Sequence, residues 1–426
     1  MSTRVACLGL ALVLAAGVAG AEFRFPMPEF ETDYEHPEVQ RPAPNLDNGL
    51  LDTAVLFGAL VLAAWLVLKR RSRAGVFALT IFAVLYFGFW RKGCVCAVGS
   101  VQNMVAGVTD PGFEVPWVVL AFFLLPLVFS LFFGRVFCAA VCPLGAAQEL
   151  VAIRPVQVPR TIEHVLGLIP YAYLGLTVLA VATGSGFLIC RYDPFVGFFR
   201  LGASFNLLLL GGVFLVAGVF IGRPYCRYLC PYGVLLGWMS FFSKWRASIT
   251  PTTCVQCRLC EDSCPYNAIN PPTPETVPTD RRTGARRLGW MLLAAPLIIG
   301  FAAWVGMQMH EVLARLHPTV QLAERVTAED RGEGEEMTLE SEAFYSSNKT
   351  REQLYSEARD VRAQFRAGSA WLGAFLGLVI VGKLVSLSLV RRRTDYETDR
   401  TACVACARCF KYCPVEGTEE SEAEAG

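Results

Sequence analysis

Histidine is scarce in this chain, with four residues in 426. His36, His164, His310 and His317 are scattered, and no C-x-x-C-H run occurs, so c-type haem has no attachment site. His164 and His310 fall at opposite ends of the apolar spans described below, which argues against a bis-histidine haem b between them. No glycine-rich phosphate loop follows a strand pattern, so ATP or NAD binding is not indicated. Acids and bases are missing from the middle of the apolar stretches, which argues against an ion pump. Neither sign of charge dominates: 38 Lys and Arg face 37 Asp and Glu, and a net charge of +1 gives no field to gather nucleic acid.

Apolar residues are abundant, at 54% of the chain, too many for a soluble protein of this length. Residues 1–21 read as a signal peptide, with Arg4, an apolar stretch from Ala6 to Val18 that holds Cys7, and an Ala19-Gly20-Ala21 cleavage site. The alternative is an uncleaved first helix, for which the run is short. Residues 22–49 form an acidic, proline-containing arm suited to export. Seven spans follow, at 50–68, 74–90, 116–133, 165–183, 204–221, 288–309 and 369–390, each near the length a membrane helix needs. Basic clusters flank them: Lys69 to Arg73 after the first, Arg135, Arg154 and Arg160 after the third, Arg223 to Arg246 after the fifth, Arg281 to Arg287 before the sixth, Arg391 to Arg393 after the last. The positive-inside rule puts all of these in the cytoplasm, with Arg91 and Lys92 as the exception. The loop 310–368 is then exported and acidic, with helix expected around 350–366 and a partner-docking surface or a solvated connector as its role.

Sixteen cysteines are present, and eight fall into two copies of Cys-x2-Cys-x2-Cys-x3-Cys-Pro. One is Cys254, Cys257, Cys260, Cys264 and Pro265; the other is Cys403, Cys406, Cys409, Cys413 and Pro414. This is the ligand run of bacterial [4Fe–4S] ferredoxins, where the fourth cysteine serves the other cluster. The runs are separated by two crossings, so both face one side and form one split ferredoxin, with halves at 251–275 and 394–426. That pattern assigns Cys254, Cys257, Cys260 and Cys413 to one cluster and Cys403, Cys406, Cys409 and Cys264 to the other; the alternative is that each run keeps its own fourth cysteine.

The membrane module, 50–250, carries a second repeat. Gly134-Arg135-Val136-Phe137-Cys138 through Cys142-Pro143-Leu144-Gly145 matches Gly222-Arg223-Pro224-Tyr225-Cys226 through Cys230-Pro231-Tyr232-Gly233. Both read G-R-x-aromatic-C-x3-C-P-x-G, and a parallel repeat about a pseudo-twofold axis is expected. Cys138, Cys142, Cys226 and Cys230 converge on a further iron–sulfur centre, form a redox-active thiol set, or brace the fold as small buried hydrophobes. Cys94, Cys96 and Cys190 follow spans two and four and suggest an outer-side metal or cluster site, a disulfide, or plain packing. The stretches 144–153 and 232–245 read as interfacial helices, with Trp238 and Trp245 at headgroup level. Glu149 and Asp193 are boundary carboxylates suited to quinol protons or to ordinary interfacial roles.

The paired C-x3-C-P motifs followed by C-x2-C-x2-C-x3-C-P runs resemble the NapH/NosR-type membrane polyferredoxins, and the CcoG group is similar. The resemblance covers roughly 74–270 and 401–414. It implies electron transfer between a quinol, or a cytosolic ferredoxin or flavoprotein, and a periplasmic redox partner, with the eight ferredoxin cysteines as ligands. It leaves copper-ion reduction, metalloenzyme assembly and redox sensing as alternatives. The chain departs from the NosR type: no S/T-G-A-S/T run is present, so covalent FMN is not indicated, and two spans split the ferredoxin runs. The expected architecture is an all-α polytopic protein of the bacterial inner membrane, with about seven spans after a signal peptide and a small cytoplasmic 2[4Fe–4S] domain.

Overall fold

The computed structural model describes residues 46–93, 96–153, 155–249, 254–273, 281–332, 338–347, 349–388 and 392–414. The expected signal peptide, most of the arm, Cys94 and the acidic tail lie outside the described residues.

The described residues are mostly helical. In order, the helices are α1 (Leu46–Leu68), α2 (Arg73–Ala83, prolonged as π-helix to Trp90), α3 (Ala97–Thr109), α4 (Trp117–Phe133), α5 (Pro143–Val151), α6 (Arg160–Leu166), α7 (Ile169–Ala182), α8 (Leu188–Tyr192), α9 (Pro194–Arg200) and α10 (Phe205–Phe220). Then come α11 (Pro224–Tyr228), α12 (Pro231–Phe241), α13 (Leu259–Asp262), α14 (Arg281–Gln308), α15 (His310–Ala314), α16 (Pro318–Asp330), α17 (Leu339–Ser346), α18 (Arg351–Ser388) and α19 (Arg408–Tyr412). Among the described residues the only sheet is a pair of two-residue strands, β1 (Ile269–Asn270) and β2 (Glu397–Thr398).

Among the described residues, five helical stretches are long and apolar enough to cross a bilayer: 49–68, 73–90, 160–182, 282–308 and 351–388. The expected fifth span is one arm of a pair, α9 and α10, bent by 110°. The break falls at Leu201, whose backbone is left-handed (φ 53°). The expected third span, α4, has 17 residues, fewer than the 18 of the shortest of those five. The protein is thus a multi-pass membrane protein, with five or six candidate spans and one shorter apolar helix among the described residues, where seven spans were expected.

The two halves of the membrane module share one order. A span (α2, or α6 and α7) leads into a short helix (α3, or α9), then an apolar helix (α4, or α10), a C-x3-C-P turn, and another short helix (α5, or α12). Arg91, the outlier of the charge pattern, pairs with buried Asp52 at 2.5 Å, so its charge is compensated inside the module.

The helices α5 and α12, expected from sequence to be interfacial, begin buried inside the module, while Trp238 and Trp245 at the far end of the second copy are exposed. Pro143, Leu144 and Gly145 are buried, as are Pro231, Tyr232 and Val234. The Tyr232 hydroxyl donates to the Phe123 carbonyl at 2.7 Å, and Trp245 N–H donates to Phe132 O at 2.9 Å. The helix α12 therefore starts beside Phe123 and returns alongside α4 by about 14 Å, nine residues at 1.5 Å each. Cys142 and Pro143 line one small cavity with Phe122, Phe87 and Leu56. Both C-x3-C-P turns thus dive back into the module, and each helix that follows leads outward. Proline at the first helical position fits, since its missing N–H has no helical partner to lose there.

The helices α14 and α18 form a hairpin closed by small residues. A side chain added at Gly306 would sit 2.2 Å from Ser369 O, and one at Gly373 would sit 2.1 Å from Ala302 O. Such close backbone approach is the usual glue of membrane helix pairs. The helix α18 runs 38 residues without a break, so the boundary expected near residue 368 falls inside it. Its first half packs with α15, α16 and α17 around Val320, Val326, Phe344, Leu354 and Phe365, a small helical cap where an acidic loop was expected.

Candidate iron–sulfur sites and the joint between them

The two ferredoxin halves meet through β1 and β2, antiparallel, with Ile269 opposite Thr398 and Asn270 opposite Glu397. Their cysteine loops share one backbone shape. The residues flanking the middle cysteine are left-handed in both: Gln256 and Arg258 (φ 51° and 65°) around Cys257, Ala405 and Ala407 (φ 54° and 60°) around Cys406. Four such residues that are not glycine mark a built feature, since this backbone costs roughly 1–2 kcal/mol per residue. Alternating right- and left-handed residues form concave nests of N–H groups, which suit anionic iron–sulfur sites.

Cys260 lies within electrostatic reach of Cys257 and Cys254. Cys264 lies beside Cys406, and Cys409 is in reach of Cys406, Cys403 and Cys264. One cavity is lined by Cys264, Cys403, Cys406 and Cys409, with Tyr266 and Phe410 among its walls. Cys413 follows α19, which packs on α13, the helix that carries Cys260. The fourth cysteine of the first run is therefore placed with the second run. Burial pushes the Cys264 thiol up to about 11 and the Cys403 thiol up to about 12. Binding iron replaces those protons, so loading releases them.

Among the described residues no three His, Cys, Asp or Glu close on a point as a single metal ion would need. A four-iron cube spreads its four thiolates over separate corners, so the looser cysteine sets fit it better than one ion.

The C-x3-C-P cysteines also converge. Cys142, buried, is in reach of Cys226, Cys138 and Cys230. Cys138, Cys226 and Cys230 line a cavity of about 240 Å³ with Arg135, Arg223, Arg227 and Lys383. The Gln148 amide donates to Cys226 Sγ at 3.3 Å. On the other side, Cys96 caps α3 and is in reach of Asp193 and Cys190. The Cys190 N–H donates to Gln102 Oε1 at 3.2 Å. No disulfide joins any described cysteine. Cys96 lines one small cavity with Cys142. Asp193 is a buried cap for Phe195 and Val196 N–H and accepts from the Tyr225 hydroxyl at 2.9 Å, which leaves it no interfacial exposure.

The arginines of the two G-R motifs cross over. Arg135 donates to Gly233 O in the second copy at 2.9 Å and to Thr401 O of the ferredoxin at 2.8 Å. Arg223 donates to Cys138 O and, at 2.9 Å, to Ala139 O in the first copy. A side chain added at Gly145 would meet Arg223 at 3.2 Å, and one at Gly233 would meet Arg135 at 3.1 Å. Each motif's glycine thus makes room for the other motif's arginine, the exchange that a pseudo-twofold axis demands.

Glu149 is the residue the sequence undervalued. Its carboxylate is fully buried and accepts from Arg223 Nε at 3.0 Å, Arg73 Nη2 at 2.5 Å, Arg408 Nη2 at 2.7 Å and the Tyr266 hydroxyl at 2.8 Å. Arg73 belongs to the first half of the module, Arg223 to the second, Tyr266 and Arg408 to the two ferredoxin halves. One carboxylate therefore joins four parts of the chain. Burial alone would raise its pKa, but Arg223, Arg408 and Arg73 outweigh that and hold it well below the usual carboxylate range. The clue in sequence was the broken repeat: position 149 aligns with Gly237 in the second copy.

A family of 4Fe–4S binding domains matches residues 115–159 and 203–249, the two C-x3-C-P copies, and a second 4Fe–4S binding family matches 247–270. The chain is 31% identical to NirI of Paracoccus denitrificans over 234 residues, covering 51% of this chain and 34% of NirI. It is 26% identical to YccM of Escherichia coli over 233 residues, covering 46% of this chain and 65% of YccM. The regulatory protein NosR of Pseudomonas aeruginosa is 28% identical over 225 residues, with 48% of this chain and 30% of NosR covered. The chain thus spans about a third of NirI and just under two thirds of YccM. No solved structure matches it. The duplicated 4Fe–4S binding segments and these relatives make the chain similar to membrane iron–sulfur proteins of the NosR/NapH type.

Proposed function

We propose that this chain is a membrane electron carrier whose ferredoxin head exchanges electrons with the C-x3-C-P module. The observation that carries this reading is the cavity lined by Cys264, Cys403, Cys406 and Cys409, set against the module through Tyr266 and Glu149. In this reading Cys254, Cys257, Cys260 and Cys413 hold one [4Fe–4S] cluster, and Cys403, Cys406, Cys409 and Cys264 hold the other. Cys138, Cys142, Cys226 and Cys230 hold a further centre, favoured by their convergence and by the arginines around their cavity. Cys96 and Cys190 extend the route toward the far side of the membrane. The basic clusters support a cytoplasmic head in a bacterial inner membrane. The donor is then a quinol or a cytosolic ferredoxin or flavoprotein, and the acceptor a redox protein on the exported side, where the cap of α15 to α18 stands.

Iron and acid-labile sulfide per chain in anaerobically purified protein, with EPR of the reduced state, test this reading. About eight irons are expected for the head alone and about twelve with a four-iron centre in the module. Fewer than eight with no reduced-state signal would overturn the carrier reading. Cys264→Ser should remove the signal tied to Cys403, Cys406 and Cys409; loss of the other signal instead would refute the cross-assignment.

A further inference from the structure

The joint between head and module is made of side chains that reach the cysteine-bearing backbone on each side. Arg73 Nη1 donates to the carbonyl of Cys406 at 2.9 Å, and its Nη2 reaches Glu149. Arg223 Nε reaches the other oxygen of the same carboxylate, and its Nη1 donates to the carbonyl of Cys138. A continuous chain of hydrogen bonds therefore runs from the backbone of Cys406, through Arg73, Glu149 and Arg223, to the backbone of Cys138. Tyr266 supports it from the side: its hydroxyl bonds Glu149, and its ring packs with Cys406.

We propose that Glu149 is a positioning residue for electron exchange between the ferredoxin head and the C-x3-C-P module, setting both the spacing of the two thiol sets and the charge they feel. This rests on the carrier reading above. An electron crossing the joint leaves one set's centre oxidised by one and the other's reduced by one. No bond breaks and no proton moves, so the reductant and oxidant are the donor and acceptor already named by class. Glu149 acts on that exchange in two ways. It fixes geometry, because one rigid carboxylate holds the arginines that grip a ligand-bearing backbone on each side. It also fixes charge, because three guanidinium groups converge on it where water is excluded and fields are weakly screened. With Glu149 ionised the group carries two net positive charges; with a neutral residue it would carry three. Added positive charge beside an iron–sulfur centre favours its reduced, more negative form. A carboxylate kept only for packing would not tune potentials on both sides.

The test is an EPR-monitored redox titration of the full-length protein in detergent, comparing wild type with Glu149→Gln and Arg408→Gln. Glu149→Gln keeps the shape and removes the negative charge, so the midpoint of the signal abolished by Cys264→Ser should move upward at unchanged iron content. Arg408→Gln removes one of the positive charges, so the same midpoint should move downward. Midpoints unmoved in both variants, or moved in the same direction, would overturn the proposal. If Glu149→Gln loses iron, Arg408→Gln decides alone: a downward shift supports the proposal and an unmoved midpoint sinks it. Wild-type protein without iron or signal would instead be the failure of the carrier reading, so the two failures are distinguishable.

Discussion

The two C-x3-C-P copies are alike in backbone plan and unlike in charge. Each dives into the module, starts a helix with Cys-Pro, and lends an arginine to its twin. Yet the first copy puts Gln148 and Glu149 on its returning helix, where the second has Leu236 and Gly237. The Arg223 side chain is buried in an ion pair, whereas Arg135 bonds only carbonyls, one of them in a more exposed setting. The left-handed residue also shifts, from Gly134 (φ 73°) in the first copy to Arg223 (φ 49°) in the second. Pro224 disfavours right-handed helical backbone at the residue before it, and the buried ion pair holds Arg223 in place. The lesson is that the repeat built the scaffold, while the departure from repeat decided where the ferredoxin docks. Glu149 draws in Arg408 and Tyr266. The bare Gly237 leaves room for the Thr401 carbonyl, 4.0 Å from where a side chain would begin.

Breaking the charged side of that comparison should cost most. Glu149→Leu leaves buried arginines uncompensated, and a loss of about 3–5 kcal/mol is expected, read as a drop in thermal unfolding midpoint in detergent. The aligned change Gly237→Ala should be neutral or stabilise by up to about 1 kcal/mol. A comparable loss at both positions would show that the copies carry load equally. Gly222→Val comes next: its side chain would start 2.9 Å from Pro265 Cβ and 3.1 Å from Pro265 O. Overpacking of about 1–3 kcal/mol should loosen the head, read as faster proteolysis between the head and α14 and loss of the Cys264-dependent EPR signal. Gly134→Ala, strained by its left-handed backbone, should cost about 1–2 kcal/mol without loosening the head. Lysine in place of either arginine sharpens the comparison further. Arg223→Lys should cost about 2–3 kcal/mol through lost charge-assisted bonds and Arg135→Lys about 1 kcal/mol, again by thermal midpoint. A larger loss at 135 would reverse the assignment.

The smallest effect is that of pH. Glu149 has a folded-state pKa held below its unfolded value, so its stabilising contribution is present above the ordinary carboxylate range, about 4.3. It is lost only as pH falls through the lower folded value. The stability difference between wild type and Glu149→Gln should therefore stay flat from pH 5 to 8 and shrink on further acidification. A difference that fades between pH 6 and 7 would place the linkage elsewhere.

Much of this was legible in the chain. Most of the apolar helices and both cysteine repeats follow from hydropathy and spacing, because local patterns carry them. The return of α5 and α12 into the module was not legible. A short apolar helix beside proline reads the same whether it lies on a membrane or inside a protein, and only its neighbours decide. The bend between α9 and α10 was missed because two apolar helices in sequence sum to the hydropathy of one. Glu149 was seen but misjudged: an isolated carboxylate near a predicted interface has no visible partners when they come from positions 73, 223, 266 and 408. The cap of α15 to α18 was masked by its acidic surface, although Val320, Ala323 and Val326, three residues apart, signalled one buried helix face.

The pairing of β1 with β2 has a consequence for how the protein is made. Synthesis reaches Ile269 and Asn270 well before Glu397 and Thr398, and α14 to α18 must be threaded through the membrane in between. At roughly 5–20 residues per second, the first half of the head waits on the order of ten seconds for its partner strand. During that interval Cys264 stands beside none of its eventual companions. The cavity it shares with Cys403, Cys406 and Cys409 comes into being only when the end of the chain folds back, so a ribosome that stalls within the hairpin leaves a protein inserted in the membrane but unable to close around its inorganic core.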